Sequence, residues 1–211
     1  MSEDRPYNPL DTREIAANVA DKMLLRPVHA LGSLASMRGA GIYAIYYSGK
    51  FPAYRALAGR NKEGEFKAPI YVGKAAPKGK RKGGMDFDDA KSLALIDRLR
   101  DHADSIKAAK NLDIDDFFCR YLIVDHLWLE LAESMLIARF SPLWNKLIDG
   151  FGNHDPGSGR HAGKRSRWDV LHPGRIWAPR LQPRTETAEQ IAAEVQNYLR
   201  NMPQDHSGRL L

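Results

Sequence analysis

Glu133 interrupts Leu131-Ala132-Glu133-Ser134-Met135-Leu136-Ile137-Ala138, a stretch otherwise apolar enough to be buried on most of its faces. Desolvating a lone carboxylate costs several kcal/mol, so Glu133 needs a partner. It is either a structural ion-pair partner, a member of a solvent-facing stripe with Glu130, or a hard-metal ligand or acid–base group. Arg98 and His102 are four residues apart, which puts them on one face of a helix beside Leu95 and Leu99. Together they can hold an anion; the alternative is a solvated face with Asp97 and Asp101 as ion-pair partners. Tyr43 and Tyr71 lie in short β-branched and aromatic runs. Each is either an ordinary strand aromatic or a phenol available for proton transfer.

The elements that must position these groups follow from periodicity. Ile15, Val19 and Met23 recur at helical spacing between Asp11 and about Leu25, behind a possible Asp11 or Thr12 cap. Gly41-Ile42-Tyr43-Ala44-Ile45-Tyr46-Tyr47 predicts a strand that ends in the turn Ser48-Gly49, and Pro69-Ile70-Tyr71-Val72-Gly73 predicts a second. The polar stretch between them, through Asn61-Lys62-Glu63-Gly64-Glu65, predicts an elaborated hairpin or loop. A basic loop from Lys74 to Lys82 leads to a helix over about 89–108. A strand over 117–124 and a very apolar helix from about Leu127 to Phe140 follow, the latter stopped by Ser141-Pro142. The first two strands are too close for a helical crossover, so the sheet is expected to be mixed or mostly antiparallel, with helices flanking it in a small α/β domain. Residues 151–184 are rich in Gly, Pro, His, Trp and basic side chains, and few of them look able to build a core. Thr187-Ala188-Glu189-Gln190 is a capping-box pattern opening a last helix with Ile191, Val195 and Leu199 on one face.

The composition fits such a domain. The chain has 211 residues, 43% hydrophobic and 27% charged, which excludes collagen-like, disulfide-framework and wholly disordered classes. Lys and Arg total 32 against 26 Asp and Glu, a net charge of +6, which favours a polyanionic partner, though a ribosomal or membrane-surface protein would share that balance. The single cysteine, Cys119, lies in the apolar run Phe117 to Val124, so it reads as a core side chain and no disulfide forms within the chain. With no apolar run near the roughly 18 residues that span a bilayer, the expectation is a cytoplasmic protein without a membrane.

Taken in order, Gly41-Ile42-Tyr43, Tyr71-Val72-Gly73-Lys74, Arg98 and His102 on a helix, Glu133 on an apolar helix and Asn145 beyond it resemble the GIY-YIG nuclease family. The resemblance covers about 39–148. The second tripeptide is Tyr-Val-Gly, a common variant, His102 stands where many members carry tyrosine, and the step from Tyr43 to Tyr71 is longer than in minimal members. The histidine, the enlarged hairpin and the tail from Gly152 through Trp168 to Arg175 resemble one branch: prokaryotic type II restriction endonucleases that cut CCGCGG. The resemblance divides the chain into an N-terminal helical arm (1–38), a GIY-YIG catalytic core (39–150) and a C-terminal DNA-reading extension (151–211), packed as one unit.

It also implies an activity: Mg²⁺-dependent hydrolysis of double-stranded DNA with a two-base 3′ overhang, Mn²⁺ being able to substitute. Glu133 would be the sole protein ligand of the ion, whose other positions water and phosphate fill. Arg98 would fork onto the phosphate oxygens. Tyr43 would serve as base, Tyr71 would orient the water, and His102 would bind phosphate or assist proton transfer. A phenol near pKa 10 needs roughly 2.7 kcal/mol of phenolate stabilisation to reach pKa 8, and Lys74, Arg98 and the metal would supply it. Asn145 would pin the site through its amide, or else serve as a local turn residue.

For sequence reading, arginine matches guanine O6 and N7, so Arg160, Arg165 and Arg167 are base-reading candidates in a run that also carries His161 and Lys164. Lys74, Lys78, Lys80, Arg81 and Lys82 are candidate phosphate binders. A palindrome cut on both strands implies a homodimer on DNA, and the family implies a cognate DNA methyltransferase. Three rival readings remain open: a non-catalytic DNA-binding module on the same scaffold, a structure- or damage-directed repair nuclease of the same family, and an RNA-binding accessory protein.

Overall fold

The computed structural model describes residues 12–77 and 91–202. Four strands form one antiparallel sheet: β1 (His29–Ala30), β2 (Gly41–Tyr47), β3 (Pro69–Ala75) and β4 (Phe117–Ile123), in the order β1-β4-β2-β3. Every residue of β2 is buried. That follows from its sequence, which is apolar at every position and so suits a strand covered on both faces. Tyr43, Ile45 and Tyr47 enter one hydrophobic cluster, and Ile42, Ala44 and Tyr46 enter another on the opposite face. The register sets Tyr43 opposite Gly73 on β3 and opposite Tyr121 on β4.

Helices cover both faces. On one side lie α1 (Thr12–Leu24) and α4 (His126–Phe140), which pack Met23, Leu129, Ala132, Leu136 and Phe140 against Ile42, Ala44 and Val72. Asp125 caps α4 by accepting from the Leu127 amide, and Ser141, left-handed at φ 43°, ends it before Pro142. On the other side lies α3 (Ala94–Ala108), which buries Leu95, Leu99, His102 and Ile106. This helix starts later than the expected 89: Leu93 is its cap residue, and the Ser92 hydroxyl accepts from the Ala94 amide.

The stretch between β2 and β3 is more structured than its polarity suggests. It holds the short helix α2 (Arg55–Gly59), and Asn61 ties it down by bonding Tyr47 and Ala68 with both ends of its amide. Residues 151–184 correct the expectation more strongly. Phe151, Trp168, Leu171, Ala178 and Leu181 are all buried, and α6 (Arg167–Leu171) packs with α7 (Ala188–Asn201). The cluster on this face runs from Leu31 to Met202, so the extension completes the core. The Thr187 hydroxyl and the Gln190 side chain form the capping box that starts α7, as its sequence predicts. Among the described residues no helix is long and apolar enough to cross a membrane.

Candidate active site

The candidate groups gather around β3, the edge strand beside β2. Side chains alternate along a strand, so Tyr71 and Gly73 face the α3 side while Lys74 turns toward α4. The Tyr43 hydroxyl lies 2.7 Å from His102 Nε2, and both residues are buried. The Tyr43 and Tyr71 rings are 6.3 Å apart, and Tyr71 lies 5.2 Å from the His102 ring. Gly73 is what lets the tyrosines meet: a Cβ there would overlap the Tyr43 hydroxyl and come within 3.0 Å of Tyr71 Cε1. Asn145, in the short helix α5 (Leu143–Lys146), clamps β3 at the adjacent residue. Its Oδ1 accepts from Val72 N and its Nδ2 donates to Val72 O, each at 2.8 Å.

Burial decides the protonation states. It pushes the Tyr43 hydroxyl well above the usual tyrosine range, helped by Tyr71 and opposed by the Arg98 charge. Tyr71 is raised for the same first reason, with Arg98 again opposing. Burial also drives His102 well below its usual range, and the Arg98 charge adds to that. At neutral pH the histidine is therefore neutral and both tyrosines are protonated. The expected lowering of a tyrosine pKa is absent in the free protein, because the cost of burying a phenolate exceeds what Arg98 returns.

Lys74 does not bond a tyrosine. Its ammonium lies 2.5 Å from Glu133 Oε2 and 2.6 Å from Glu130 Oε2. Burial pulls its pKa down, but the two carboxylate bonds outweigh that and hold it raised. The Glu133 side chain is 19% exposed and Glu130 is far more open. Two carboxylates one helical turn apart thus converge on a single positive charge. Such an oxygen donor set suits a hard divalent ion that keeps most of its water. No three His, Cys, Asp or Glu side chains converge into a closed cage among the described residues. A cleft of about 720 Å³ joins the two halves of the site, lined by Lys74, Arg98, Asp101 and His154 among others. The fit for a metal is therefore at Glu133, which bonds Lys74, and Lys74 lines the same cleft as Arg98.

Sequence reasoning missed the wall of the site supplied by residues 150–154. Phe151 stacks on His102 at 4.5 Å and 15°. The Gly152 carbonyl accepts from Arg98 Nη2 at 3.1 Å, and a Cβ on Gly152 would stand 2.8 Å from that nitrogen and 3.2 Å from the Tyr71 hydroxyl. Arg98 Nη1 lies 2.8 Å from His154 Nε2. Buried Arg175 holds this segment, donating to the carbonyls of Gly150, Phe151 and Asn153 while pairing with Asp169 at 2.7 Å. The available signal was the run Gly150-Phe151-Gly152-Asn153-His154, an aromatic ring and a histidine set among glycines.

The base-reading candidates fare differently from one another. Arg160 and Lys164 are exposed. His161 lies 3.2 Å from Asp155. Arg165 Nε donates to Ala178 O, and Arg184 reaches the Arg165 carbonyl. Arg167 does not fit a base reader in this structure: its guanidinium pairs with Glu186 and Glu194 and bonds Leu147 O, with 13% of the side chain exposed. Lys78, Lys80, Arg81 and Lys82 lie outside the described residues.

No curated protein matches the chain. The family model of the Eco29kI GIY-YIG domain matches residues 35–199, which span the sheet, the tyrosine–histidine cluster, Glu133 and the segment that walls them in. With that match over more than three quarters of its length, the chain belongs to the Eco29kI-type GIY-YIG family, a restriction-endonuclease family of nucleases whose substrate is DNA.

Proposed function

We propose that the protein is a type II restriction endonuclease that hydrolyses both strands of DNA at CCGCGG, with Mg²⁺, leaving 3′ overhangs. The observation that carries the reading is the contact of the buried Tyr43 hydroxyl with neutral His102 at 2.7 Å, beside Arg98, which with Lys74 lines an open cleft. Mn²⁺ is expected to substitute for Mg²⁺, and a homodimer places one centre on each strand. A cognate methyltransferase protects the host site.

Tyr43 has no exposed surface, whereas Tyr71 is half-buried. Tyr71 is therefore the phenol that orients the attacking water, and Tyr43 with His102 is where the proton goes. As the water oxygen bonds to phosphorus, its proton passes to Tyr71, the Tyr71 proton to Tyr43, and the Tyr43 proton to the lone pair of His102 Nε2. The bond to the leaving oxygen breaks on the far side, and that oxygen takes a proton from solvent. Arg98 forks onto the non-bridging oxygens, where its permanent charge meets the growing negative charge. Glu133 would hold Mg²⁺, which when bound supplies electrostatic stabilisation of the phosphate and leaving oxygen. Lys74 is released from Glu133 toward the phosphate. Asn145 keeps β3 in register so that Tyr71 and Gly73 stay against Tyr43.

The test uses two plasmids identical except for one CCGCGG site, incubated with the protein and Mg²⁺ or EDTA. Cutting confined to the site-bearing plasmid in Mg²⁺ supports the reading, and sequencing both ends fixes the overhang. Equal cutting of both plasmids discards the specificity. Salt-dependent binding without scission favours a non-catalytic module.

A further inference from the structure

Among the described residues Arg98 is the cation that touches both the tyrosine cluster and the cleft, and its orientation is set from outside α3. A guanidinium has five N–H donors and no acceptor, so the 2.8 Å contact with His154 Nε2 can only be Arg98 donating to a histidine lone pair. His154 is thus a neutral imidazole carrying its proton on Nδ1 while the contact stands. Arg98 Nη2 donates at the same time to Gly152 O at 3.1 Å. One N–H of each terminal nitrogen is spent on the segment 152–154. Its other N–H groups face the tyrosines, with which Arg98 also interacts, and the cleft that it lines. A second observation ties His154 to the cleft: it lines that cavity with Lys74, Arg98 and Asp101. Asp101 Oδ2, the acidic group facing it from α3, is 3.9 Å from His154 Nε2, too far to take the place of Arg98.

Its neighbour points the same way along the chain. Asp155 accepts from the Gly157 amide at 2.9 Å, meets His161 at 3.2 Å and lies 3.8 Å from Arg180. Consecutive residues therefore hold the catalytic arginine on one side and the basic tail on the other. Behind them the Asp169–Arg175 pair fixes the carbonyls on either side of Gly152. His154 itself is mostly exposed, so its contact with Arg98 contributes little burial and its value lies in where it holds the guanidinium.

We infer that His154 is a positioning residue for the phosphate-binding Arg98, acting as a lone-pair acceptor that aims the guanidinium into the cleft. The inference rests on the nuclease reading above. It requires an acceptor at this position, not an imidazole or a charge. His154→Ala removes the acceptor, and His154→Gln restores one at similar reach from the backbone.

The experiment compares single-turnover cleavage, with enzyme in excess, in the wild type and both variants, and adds ¹⁵N NMR of the Arg98 guanidinium assigned with Arg98→Lys. The expected result is cleavage at least about tenfold slower in His154→Ala, the range in which hydrogen bonds to charged groups fall. Binding of the site is then unchanged within about threefold, and His154→Gln recovers most of the rate. Rotation about the Arg98 Cζ–N bonds should be slow in the wild type and in His154→Gln and fast in His154→Ala. Wild-type cleavage kept by His154→Ala, or rotation unaffected by it, overturns the inference. A loss of rate that glutamine does not recover also overturns it, since the acceptor would then not be what matters. A wild type that cuts nothing sinks the nuclease reading separately, and the NMR arm still decides whether His154 holds Arg98.

Discussion

Replacing Gly73 with alanine tests whether catalysis depends on the fixed meeting of two tyrosines and a histidine. The added methyl would overlap the Tyr43 hydroxyl and lie 2.7 Å from Tyr43 Cζ and 3.0 Å from Tyr71 Cε1. Carbon atoms rest at roughly 3.5 Å or more, so the phenol must retreat by about 1 Å. It has little room, because the Tyr43 ring is fully buried with His102 5.4 Å away on one side. A retreat of that size stretches the 2.7 Å bond to His102 beyond hydrogen-bonding reach.

Overpacking of this kind costs about 1–3 kcal/mol, which lowers the Tm of a chain this size by about 2–4 °C per kcal/mol and leaves it folded. Misplacing a reacting group by about 1 Å costs on the order of a hundredfold in rate. Single-turnover cleavage of a site-bearing plasmid, run beside thermal unfolding, separates the two effects. The expected outcome is cleavage about a hundredfold slower, a Tm lowered by no more than about 12 °C, and retained binding of the site. A variant that cuts within threefold of the wild type at an unchanged Tm would refute the claim that Gly73 is there to seat Tyr43.

Three further outcomes are expected. Glu133→Gln and Tyr43→Phe should each abolish cleavage while site-specific binding survives in a gel-shift assay; turnover in either removes that residue from its role. Asn145→Ala deletes two 2.8 Å bonds to the Val72 backbone, worth about 1 kcal/mol each, and a urea midpoint corresponding to less than about 0.5 kcal/mol of loss would show that β3 does not rely on the clamp. Stability should fall as pH drops below about 6.5. Burial lowers folded His172 to about 3, with Arg175 adding to it. Below pH 6.5 the unfolded chain therefore binds a proton that the native state refuses, at about 1.4 kcal/mol per pH unit. His102 shifts in the same direction and steepens the slope. Urea titrations from pH 7 to 5 check this, and His172→Gln should flatten the curve; an unchanged slope in that variant would rule out His172 as a source.

The sheet was legible because its strands advertise themselves. β2 is apolar at every position, and the turn signals after Tyr47 and before Pro69 bound a hairpin that leaves no space for a crossover. Long helices were equally plain where an apolar stripe and a cap coincide, as at Thr187. What the sequence hid are short elements whose existence depends on distant partners. The two-residue β1 exists by pairing with Phe118 and Cys119, and α2 is held by Asn61 reaching back to Tyr47. Residues 151–184 looked poor in core because their apolar residues are few and widely spaced. Trp168 nevertheless packs edge-on against Trp144 and tilted against Phe151, and Arg175 lies over its ring at 4.4 Å. Aromatic residues carry enough area each that a handful can close a core without periodicity.

The same blind spot explains why the site's residues were legible and its electrostatics were not. Spacing and residue type pick out Tyr43, Tyr71, Arg98, His102 and Glu133, all of which lie within the core segment. Their protonation states depend on what covers them, and the cover comes from beyond residue 150. Phe151 lies flat on His102, Gly152 and His154 take up two donors of Arg98, and Arg175 adds positive charge that further lowers His102. The wall adds to the burial that is the first cause of the Tyr71 and His102 shifts, since Phe151 packs on both rings. The neutral His102 that can receive the Tyr43 proton is therefore a property of the extension as much as of the core. One continuous segment thus reaches both ways: His154 touches Arg98, and Asp155 meets His161 and lies 3.8 Å from Arg180.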